Sequence, residues 1–321
     1  MKLGALTRSL YDRPLDKALM WMAAQGLETA EIGCGAYDGT KHCNPKVLLR
    51  NPDKLKQFQW VVRESGLSIS ALACHANPIH PSEKFAAAQK EDQRNATILA
   101  EKLGVETITV MAGCPGESDG SKHPAWILPG ISGLEEEDKT SEWQWRERVI
   151  PYWTKESDFA EKHGVKFAFE PHPGDVIFND WTFFKMRKAV GKVAGVNFDP
   201  SHFFWQGIDP VSSILDLKDS IYHVHAKDTY VSQDNVRVNG VLHTDPVVPL
   251  SKRSWLFRTI GYGHGEVVWR QIISALRMVG YDYVISIEHE DVLTSREEGF
   301  RRGVALLKSM MITEDAEGQV W

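Results

Sequence analysis

Eight short apolar runs recur along the chain and alternate with longer segments that have the periodicity of amphipathic helices. This alternation is typical of strand–helix units whose strands pair in parallel. The predicted strands span 2–7, 29–33, 68–75, 106–113, 166–172, 194–200, 221–227 and 283–289. The predicted helices span 14–25, 52–65, 85–103, 141–163, 180–190, 209–218, 267–279 and 294–310. Eight consecutive units predict one (β/α)8 TIM barrel as a single domain over residues 1–321.

An open, doubly wound sheet is the alternative architecture for such a pattern. That fold usually has a glycine-rich turn after its first strand. Here the first predicted strand leads into LTRSLYDRP, which contains no glycine. The sequence therefore favours the closed barrel.

Composition limits the partners and the compartment. The net charge is −6, whereas nucleic-acid binding usually leaves a basic footprint, so no nucleic-acid partner is expected. No apolar run approaches the ~18 residues of a membrane span, and the N-terminal segment lacks a signal-peptide core. A cytoplasmic protein without a membrane partner is expected. The four cysteines form no CxxC pair and are predicted to be reduced thiols: Cys34, Cys43, Cys74 and Cys114.

Four acid or imidazole side chains stand at the ends of four predicted strands. They are Glu170 in KFAFEPH, Asp199 in VNFDPSH, His225 in IYHVHAKD and Glu288 in YVISIEHED. Parallel barrel strands bring their C-terminal ends to one rim, so these side chains are expected to converge. Burying a carboxylate is costly unless it is paired, protonated or bound to a metal. The set predicts one divalent cation, with Mn²⁺ favoured and Mg²⁺ or Co²⁺ as alternatives.

Two glutamates beside a bound cation predict a reaction class. The cation polarises a carbonyl, and a carboxylate then removes the neighbouring C–H proton. By strand alternation His172 shares the barrel interior with Glu170, and His223 shares it with His225. His223 is interpreted as a hydrogen-bonded core histidine. Glu31, at the end of the second strand, is either a substrate contact or a structural hydrogen-bond partner.

The motifs FEPH, FDPSH, HVHAKD and SIEHED resemble the xylose isomerase-like sugar isomerase/epimerase superfamily across essentially the whole chain. The resemblance implies a carbohydrate substrate, and metal ligation by the four residues named above. It also implies that Glu170 and Glu288 exchange the substrate proton, and that His202 hydrogen-bonds a substrate hydroxyl. Asp228 and His172, which belong to the same motifs, are further predicted substrate contacts.

Two departures from that resemblance widen the choice of reaction. Sugar 3-epimerases of the superfamily tend to carry an arginine a few residues beyond the ligand histidine, but here KDTYV follows His225 and Ala226. Some relatives instead cleave 3-keto-glycosides by β-elimination, and the segment CHANPIHP is similar to that branch. His75 in this segment is therefore predicted to contact substrate or transfer a proton. A homo-oligomer is expected, or a hetero-oligomer if the chain belongs to the cleaving branch.

Two connections, 114–140 after the fourth strand and 229–265 after the seventh, are too long for plain barrel loops. They are interpreted as lids, because Trp126, Trp255 and Phe257 offer flat faces to a sugar ring; an oligomer contact is the alternative. The acidic run EEED (135–138) is predicted to be a solvated loop. In GYGHGEV, His264 is predicted to face solvent, and no basic cluster accompanies the glycines to bind a phosphorylated substrate.

Three kinds of enzyme fit these motifs to different degrees. A metal-dependent isomerase or epimerase of a sugar or keto-sugar is favoured, with a 3-keto-glycoside lyase (deglycosidase) as the alternative. An apurinic endonuclease is a remote alternative, because it would need a multi-zinc cluster and a basic groove. A noncatalytic sugar-binding module would not need three acids around a cation.

Overall fold

Eight parallel strands close into a barrel in the computed structural model, which describes residues 1–131 and 133–314. The barrel strands are β1 (Lys2–Leu6), β2 (Thr29–Gly33), β3 (Ser68–Ala73), β4 (Thr107–Val110), β5 (Lys166–Phe169), β6 (Ala194–Phe198), β7 (Ile221–Ala226) and β10 (Val284–Ile287). Their order around the barrel follows the chain, with β10 pairing with both β7 and β1. The predicted TIM barrel is thus confirmed. Ser132 and residues 315–321 of the predicted domain lie outside the described residues.

Helices surround the barrel, and seven of the eight predicted ones begin and end within two residues of their predicted bounds. The helices are α1 (Leu15–Ala24), α2 (Pro45–Arg50), α3 (Pro52–Glu64), α4 (Glu83–Leu103), α5 (Glu135–Trp143), α6 (Ile150–Lys162), α7 (Asp180–Val190), α8 (Pro200–Gln206), α9 (Pro210–Leu217), α10 (Gln233–Asn239), α11 (Glu266–Met278) and α12 (Arg296–Met310). The short helices α2, α8 and α10 were not predicted. In the described part, no helix is both long and apolar enough to cross a bilayer.

The predicted helix 141–163 is a composite. Helix α5 passes through a π-helical turn at Gln144–Val149 into α6, where Pro151 stands at the helix start. Proline lacks an amide hydrogen, so regular α-helical bonding cannot continue through it. The prediction that EEED is a loop is wrong, because these acids form the first turn of α5. Negative charge is favourable there, beside the positive end of the helix dipole.

Strand alternation separates an apolar outer layer from a polar interior. On β5 the rings of Phe167 and Phe169 point outward and meet the indole of Trp153 on α6 edge-on. The interior holds polar side chains that hydrogen-bond across the barrel: Glu31, Ser70, Thr109, Asn197, His223, His225 and Ser286. This layer lies directly beneath the C-terminal rim and fixes the groups that protrude from it.

The long segment after β7 is not a plain loop. Strand β8 (Asp228–Val231) pairs antiparallel with β9 (Trp255–Arg258), and α10 lies between them in the chain. Trp255 on β9 stacks on Trp205 of α8 with ring centroids 4.6 Å apart. The insertion is therefore a small folded unit, anchored on α8 at the barrel rim.

Candidate metal centre

The four predicted ligands converge at the C-terminal rim. Strands β5, β6 and β10 each end one residue before Glu170, Asp199 and Glu288, and His225 is the penultimate residue of β7. One ligand atom from each of the four lies within 4.8 Å of the others. All four side chains are almost completely withdrawn from solvent. The geometry is that of a single cation site.

Residue Glu31 fixes the orientation of the ligand histidine. His225 Nε2 lies 2.8 Å from Glu31 Oε2, and the same carboxylate accepts hydrogen bonds from Thr109 and Ser286. His225 Nδ1 then faces Glu170 Oε2 at 3.0 Å and Glu288 Oε2 at 3.1 Å. Donation of the remote ring N–H to a carboxylate is the usual way of presenting an imidazole to a metal. Of the two roles considered for Glu31, the structure supports the hydrogen-bond partner.

The two carboxylate oxygens of Asp199, in the FDPSH motif, have different roles. Asp199 Oδ1 accepts the Ser201 backbone N–H at 2.9 Å and caps α8, with Pro200 following as the first helical residue. Asp199 Oδ2 faces the site, where the ammonium group of Lys227 lies 2.9 Å away. His202 also projects from α8 into the site, with Nε2 3.2 Å from Glu170 Oε1 and 3.4 Å from Asp199 Oδ2.

Glu170 and Glu288 remain ionised despite their burial. Burial by itself raises the pKa of Glu170, but the adjacent imidazoles of His202, His225 and His75 lower that pKa well below its usual value. Burial likewise raises the pKa of Glu288, and the nearby Lys227 ammonium and His225 outweigh that effect and lower it. Ionised oxygens are the form that a divalent cation binds.

The donor set fits a divalent cation. Three carboxylates and one imidazole converge, and the single ammonium of Lys227 beside Asp199 and Glu288 compensates only part of their negative charge. A second group, formed by Glu31, His223 and His225, lies deeper in the barrel. His223 there is hydrogen-bonded to Asn197 Oδ1 at 3.0 Å and Ser70 Oγ at 3.3 Å, as a core histidine should be. The group at the rim is therefore the better candidate for a cation site.

Lys227 is the main functional group that was not singled out from the sequence. Its Nζ lies 2.9 Å from Asp199 Oδ2 and 2.7 Å from Glu288 Oε2, and the side chain is 2% exposed. Burial alone would lower the pKa of Lys227, but Asp199 and Glu288 raise it well above its usual value. Strand alternation continued beyond His225 could have placed Lys227 in the interior. A permanent positive charge thus adjoins two of the proposed ligands.

His75 also lies at the site, as expected. Its Nδ1 lies 2.9 Å from Asp38 Oδ2, and its Nε2 lies 3.5 Å from Glu170 Oε2 without a hydrogen-bond partner. Burial lowers the pKa of His75, but the charge of Asp38 and its hydrogen bond outweigh this and raise the pKa well above the usual value. Asp38 orients the imidazole, and its position in a loop gave no signal in the sequence.

His172 lies at the outer edge of the site. Its ring centroid is 4.1 Å from that of His202, and its Nδ1 lies 2.7 Å from the Pro173 carbonyl oxygen. Burial and the nearby His202 lower the pKa of His172 to about 3, so the ring is neutral. A neutral imidazole at this position is compatible with the predicted substrate contact of His172, which stays a prediction.

A cleft of about 630 Å³ opens beside Glu288 and is walled by Trp255, Leu256 and Phe257 of β9. Phe257 lies 4.8 Å from Lys227 Nζ and meets the His202 ring edge-on, so this wall reaches the metal centre. Trp126 does not line this cleft. It packs edge-on against Phe178 in a separate groove of about 440 Å³, so its predicted substrate contact has no support in the geometry.

Asp228 has a different role from the one predicted. It is fully buried, and Asp228 Oδ2 accepts the backbone N–H groups of Gly261, Gly263 and His264 at 2.9–3.0 Å. Its other oxygen lies 2.9 Å from His264 Nδ1. The carboxylate is thus occupied within the chain, and we assign to it a structural role in place of a substrate contact. His264 does not face solvent as predicted, because its ring also stacks on Phe204 with centroids 3.6 Å apart.

A model of the xylose isomerase-like TIM barrel family matches residues 22–310. The chain belongs to this family. The uncharacterized protein YfiH of Bacillus subtilis is 34% identical over 309 residues, which are 96% of this chain and 98% of YfiH.

Two solved structures show the same fold. The 3-keto-D-glucoside 4-epimerase YcjR of E. coli has a TM-score of 0.64 at 13% identity, covering 96% of this chain and 99% of YcjR. The IolI protein with a bound zinc atom has a TM-score of 0.63 at 20% identity, covering 98% of this chain and all of IolI. At these identities the likeness establishes the barrel, and the site must be argued from this chain's own residues.

We predict that the protein binds one Mn²⁺ per chain and that Glu31→Gln weakens the binding roughly 10- to 100-fold. The substitution removes the charged acceptor that fixes the His225 ring while leaving all four ligands in place. Isothermal titration calorimetry of protein treated with a chelator measures both the stoichiometry and the affinity.

Ser70→Ala is the matched control, because it removes a hydrogen bond from the same polar layer, to His223, and should leave Mn²⁺ affinity unchanged. A stoichiometry of two ions per chain, or equal effects of the two substitutions, would contradict a single site at the rim oriented by Glu31.

Asp228→Ala should lower the free energy of unfolding by about 3 kcal/mol, since it leaves several buried backbone N–H groups without an acceptor. Guanidinium denaturation measures this loss. Asp219→Ala is the control: this side chain is 81% exposed, and its ion pair with Arg187 should contribute little. A normal stability with a raised KM would restore Asp228 as a substrate contact.

Proposed function

We propose that this protein is a divalent-metal-dependent isomerase or epimerase that moves a proton next to the carbonyl of a sugar or keto-sugar. The observation that supports this most strongly is the pairing of Glu170 and Glu288. Their carboxylates lie 3.0 and 3.1 Å from the same nitrogen of His225 and come from two strands, β5 and β10, that are separated by β6 and β7 in the barrel. A substrate bound at the shared cation site would lie between two bases.

Glu170, Asp199, His225 and Glu288 would hold the cation, which when bound supplies polarisation of a substrate carbonyl or hydroxyl. Mn²⁺ is favoured by the three-oxygen, one-nitrogen donor set. Of the two glutamates, one removes the C–H proton and the other returns a proton to the neighbouring carbon or to the opposite face. Asn197 Nδ2 donates to Glu170 at 2.9 Å and Lys227 donates to Glu288 at 2.7 Å, so each base is held in a fixed position.

Three further groups complete the chemistry. Lys227 places a positive charge where negative charge develops on the substrate oxygen during enolisation. His202 is positioned to hydrogen-bond a substrate hydroxyl. Phe257 covers Lys227 and limits access of water, and Trp255 continues this apolar wall along the cleft.

β-Elimination of a 3-keto-glycoside is the second candidate, and the position of His75 favours it. A glutamate would take the C–H proton next to the ketone, the C–O bond to the aglycone would break, and the aglycone oxygen would receive a proton from His75. The imidazole lies 3.5 Å from Glu170 and carries an additional proton because Asp38 raises its pKa. The apurinic endonuclease ranks below both, since the two candidate metal groups among the described residues share His225 and do not form a multi-metal cluster.

Incubation with keto-sugars and 3-keto-glycosides in D₂O, with and without Mn²⁺, tests the proposal. Deuterium at a carbon next to the carbonyl with an intact skeleton, read by NMR and mass spectrometry, is the expected result. Loss of the aglycone instead would assign the lyase. The absence of both Mn²⁺-dependent exchange and aglycone loss across the panel would contradict both candidate functions.

Glu288→Gln should reduce exchange with the active substrate by about 10²–10⁴-fold, because an amide cannot accept the proton. The fold should persist, as measured by circular dichroism. Glu298→Gln on the exposed surface of α12 is the control and should exchange at the normal rate. Near-normal exchange by Glu288→Gln would reassign this glutamate to metal binding alone.

Lys227→Gln should lower turnover by about 10²–10³-fold, because a positive charge next to the developing oxyanion is lost. Affinity for Mn²⁺ should not fall, since an ammonium group close to the ligands repels a cation. Measuring both quantities on one preparation separates the two roles. A parallel loss of metal affinity would mean that Lys227 only assembles the ligands.

A further inference from the structure

The cleft beside Glu288 is bordered by three arginines from distant parts of the chain. Arg8 follows β1, Arg253 precedes β9, and Arg296 is the first residue of α12. These three arginines do not form a cluster in the sequence. The fold brings them together, at the mouth of the cleft that leads to the metal centre.

Within the described ranges 1–131 and 133–314 none of these arginines forms an ion pair with an acid, although the charge of Arg296 contributes to lowering the pKa of Asp12. Arg253 donates to the carbonyl oxygens of Pro246 and Val248, and the side chains of Arg8 and Arg296 form no hydrogen bond or ion pair with the rest of the described chain. Acidic side chains outnumber basic ones in this chain, whose net charge is −6, so unpaired arginines are unexpected. Their guanidinium groups thus line the cleft without being engaged by its carboxylates.

The acids of the same cleft contact other cations, and not the three arginines. Glu288 lies 2.7 Å from Lys227 Nζ, and Glu290 lies 3.6 Å from the same atom. Asp291 is paired with Arg258 at 3.1 Å and accepts the backbone N–H of Thr259. None of the three cleft arginines is therefore in contact with a carboxylate of the cleft.

We infer that the substrate is an anionic sugar, a sugar acid or a sugar phosphate. Its carboxylate or phosphate would be held by the cleft arginines, while its carbonyl end reaches the metal centre. Guanidinium groups bind both anions in forked, charge-assisted geometry, and they bind neutral sugars less strongly. Trp255 and Phe257 supply the apolar face along which the sugar chain or ring would lie. This inference rests on the proposed sugar isomerase or epimerase function, whose substrate class it names.

Three matched probes test it: D-fructose, D-fructuronate and D-fructose 6-phosphate, each titrated calorimetrically into the full-length protein. Both Mn²⁺-loaded and metal-free protein are used, so that anion binding to the metal itself is separated from binding to the arginines. We expect at least one anionic probe to bind ten times or more tighter than D-fructose in both forms. Which of the two anionic probes has the higher affinity distinguishes a carboxylate subsite from a phosphate subsite.

Arg8→Gln and Arg296→Gln should each weaken the anionic probe about 10-fold, as expected for a lost charge-assisted hydrogen bond, and leave D-fructose binding unchanged. Arg63→Gln is the matched control, because this arginine is exposed on α3 and does not line the cleft. Both cleft arginines are exposed, so the variants should fold.

The inference is overturned if neither anion binds more tightly than D-fructose, or if the cleft variants behave like Arg63→Gln. Its failure is distinguishable from that of the proposed function. Mn²⁺-dependent deuterium exchange with neutral keto-sugars alone would support the proposed enzyme function and contradict the inference of an anionic substrate. Arginine-dependent anion binding without Mn²⁺ binding or deuterium exchange would support the anion-binding role of the cleft and contradict the proposed enzyme function.

Discussion

Coulomb repulsion among three buried carboxylates is the constraint on which the rest of the site depends. Glu170, Asp199 and Glu288 present oxygens within 4.8 Å of one another, and two unit charges about 4 Å apart repel by about 4 kcal/mol even at an effective dielectric of 20. Lys227 contributes one compensating charge. A divalent cation would contribute two, which balances the three negative charges. An electrically neutral site of this kind does not repel an oxyanion that forms on the bound substrate.

Hydrogen bonds to neighbouring strands and helices hold three of the proposed ligands in place. Asp199 caps a helix with one oxygen, His225 reaches Glu31 with its remote nitrogen, and Glu170 accepts from Asn197. Each of these partners is itself part of a rigid strand or helix. The ligand atoms are therefore positioned by hydrogen bonds that do not require the cation, which reduces the conformational entropy lost when a cation binds.

The ligand set could be predicted from the sequence because each ligand ends an apolar run, and a parallel barrel sends all such ends to one rim. The same pattern failed for Asp228. Alternation places His223, His225 and Lys227 on the interior face, whereas Asp228 starts a second strand and turns toward the backbone of Gly261–His264. Alternation along a strand is local, but the partner of a buried acid depends on loops that only the fold brings near. Arg8, Arg253 and Arg296 converge for the same nonlocal reason.

The insertion after β7 links the cleft to the segment after β10, which carries Glu288. Strand β9 ends at Arg258, which is paired with Asp291, and Thr259 donates to the same carboxylate through its backbone and its hydroxyl. Asp291 is only three residues beyond Glu288. A displacement of the hairpin that carries Trp255 and Phe257 would thus be transmitted to the segment that carries the proposed base. The barrel fixes the metal ligands independently of this hairpin, so substrate preference can change through the insertion while the ligand geometry is preserved, a separation that favours divergence of substrates on a common site.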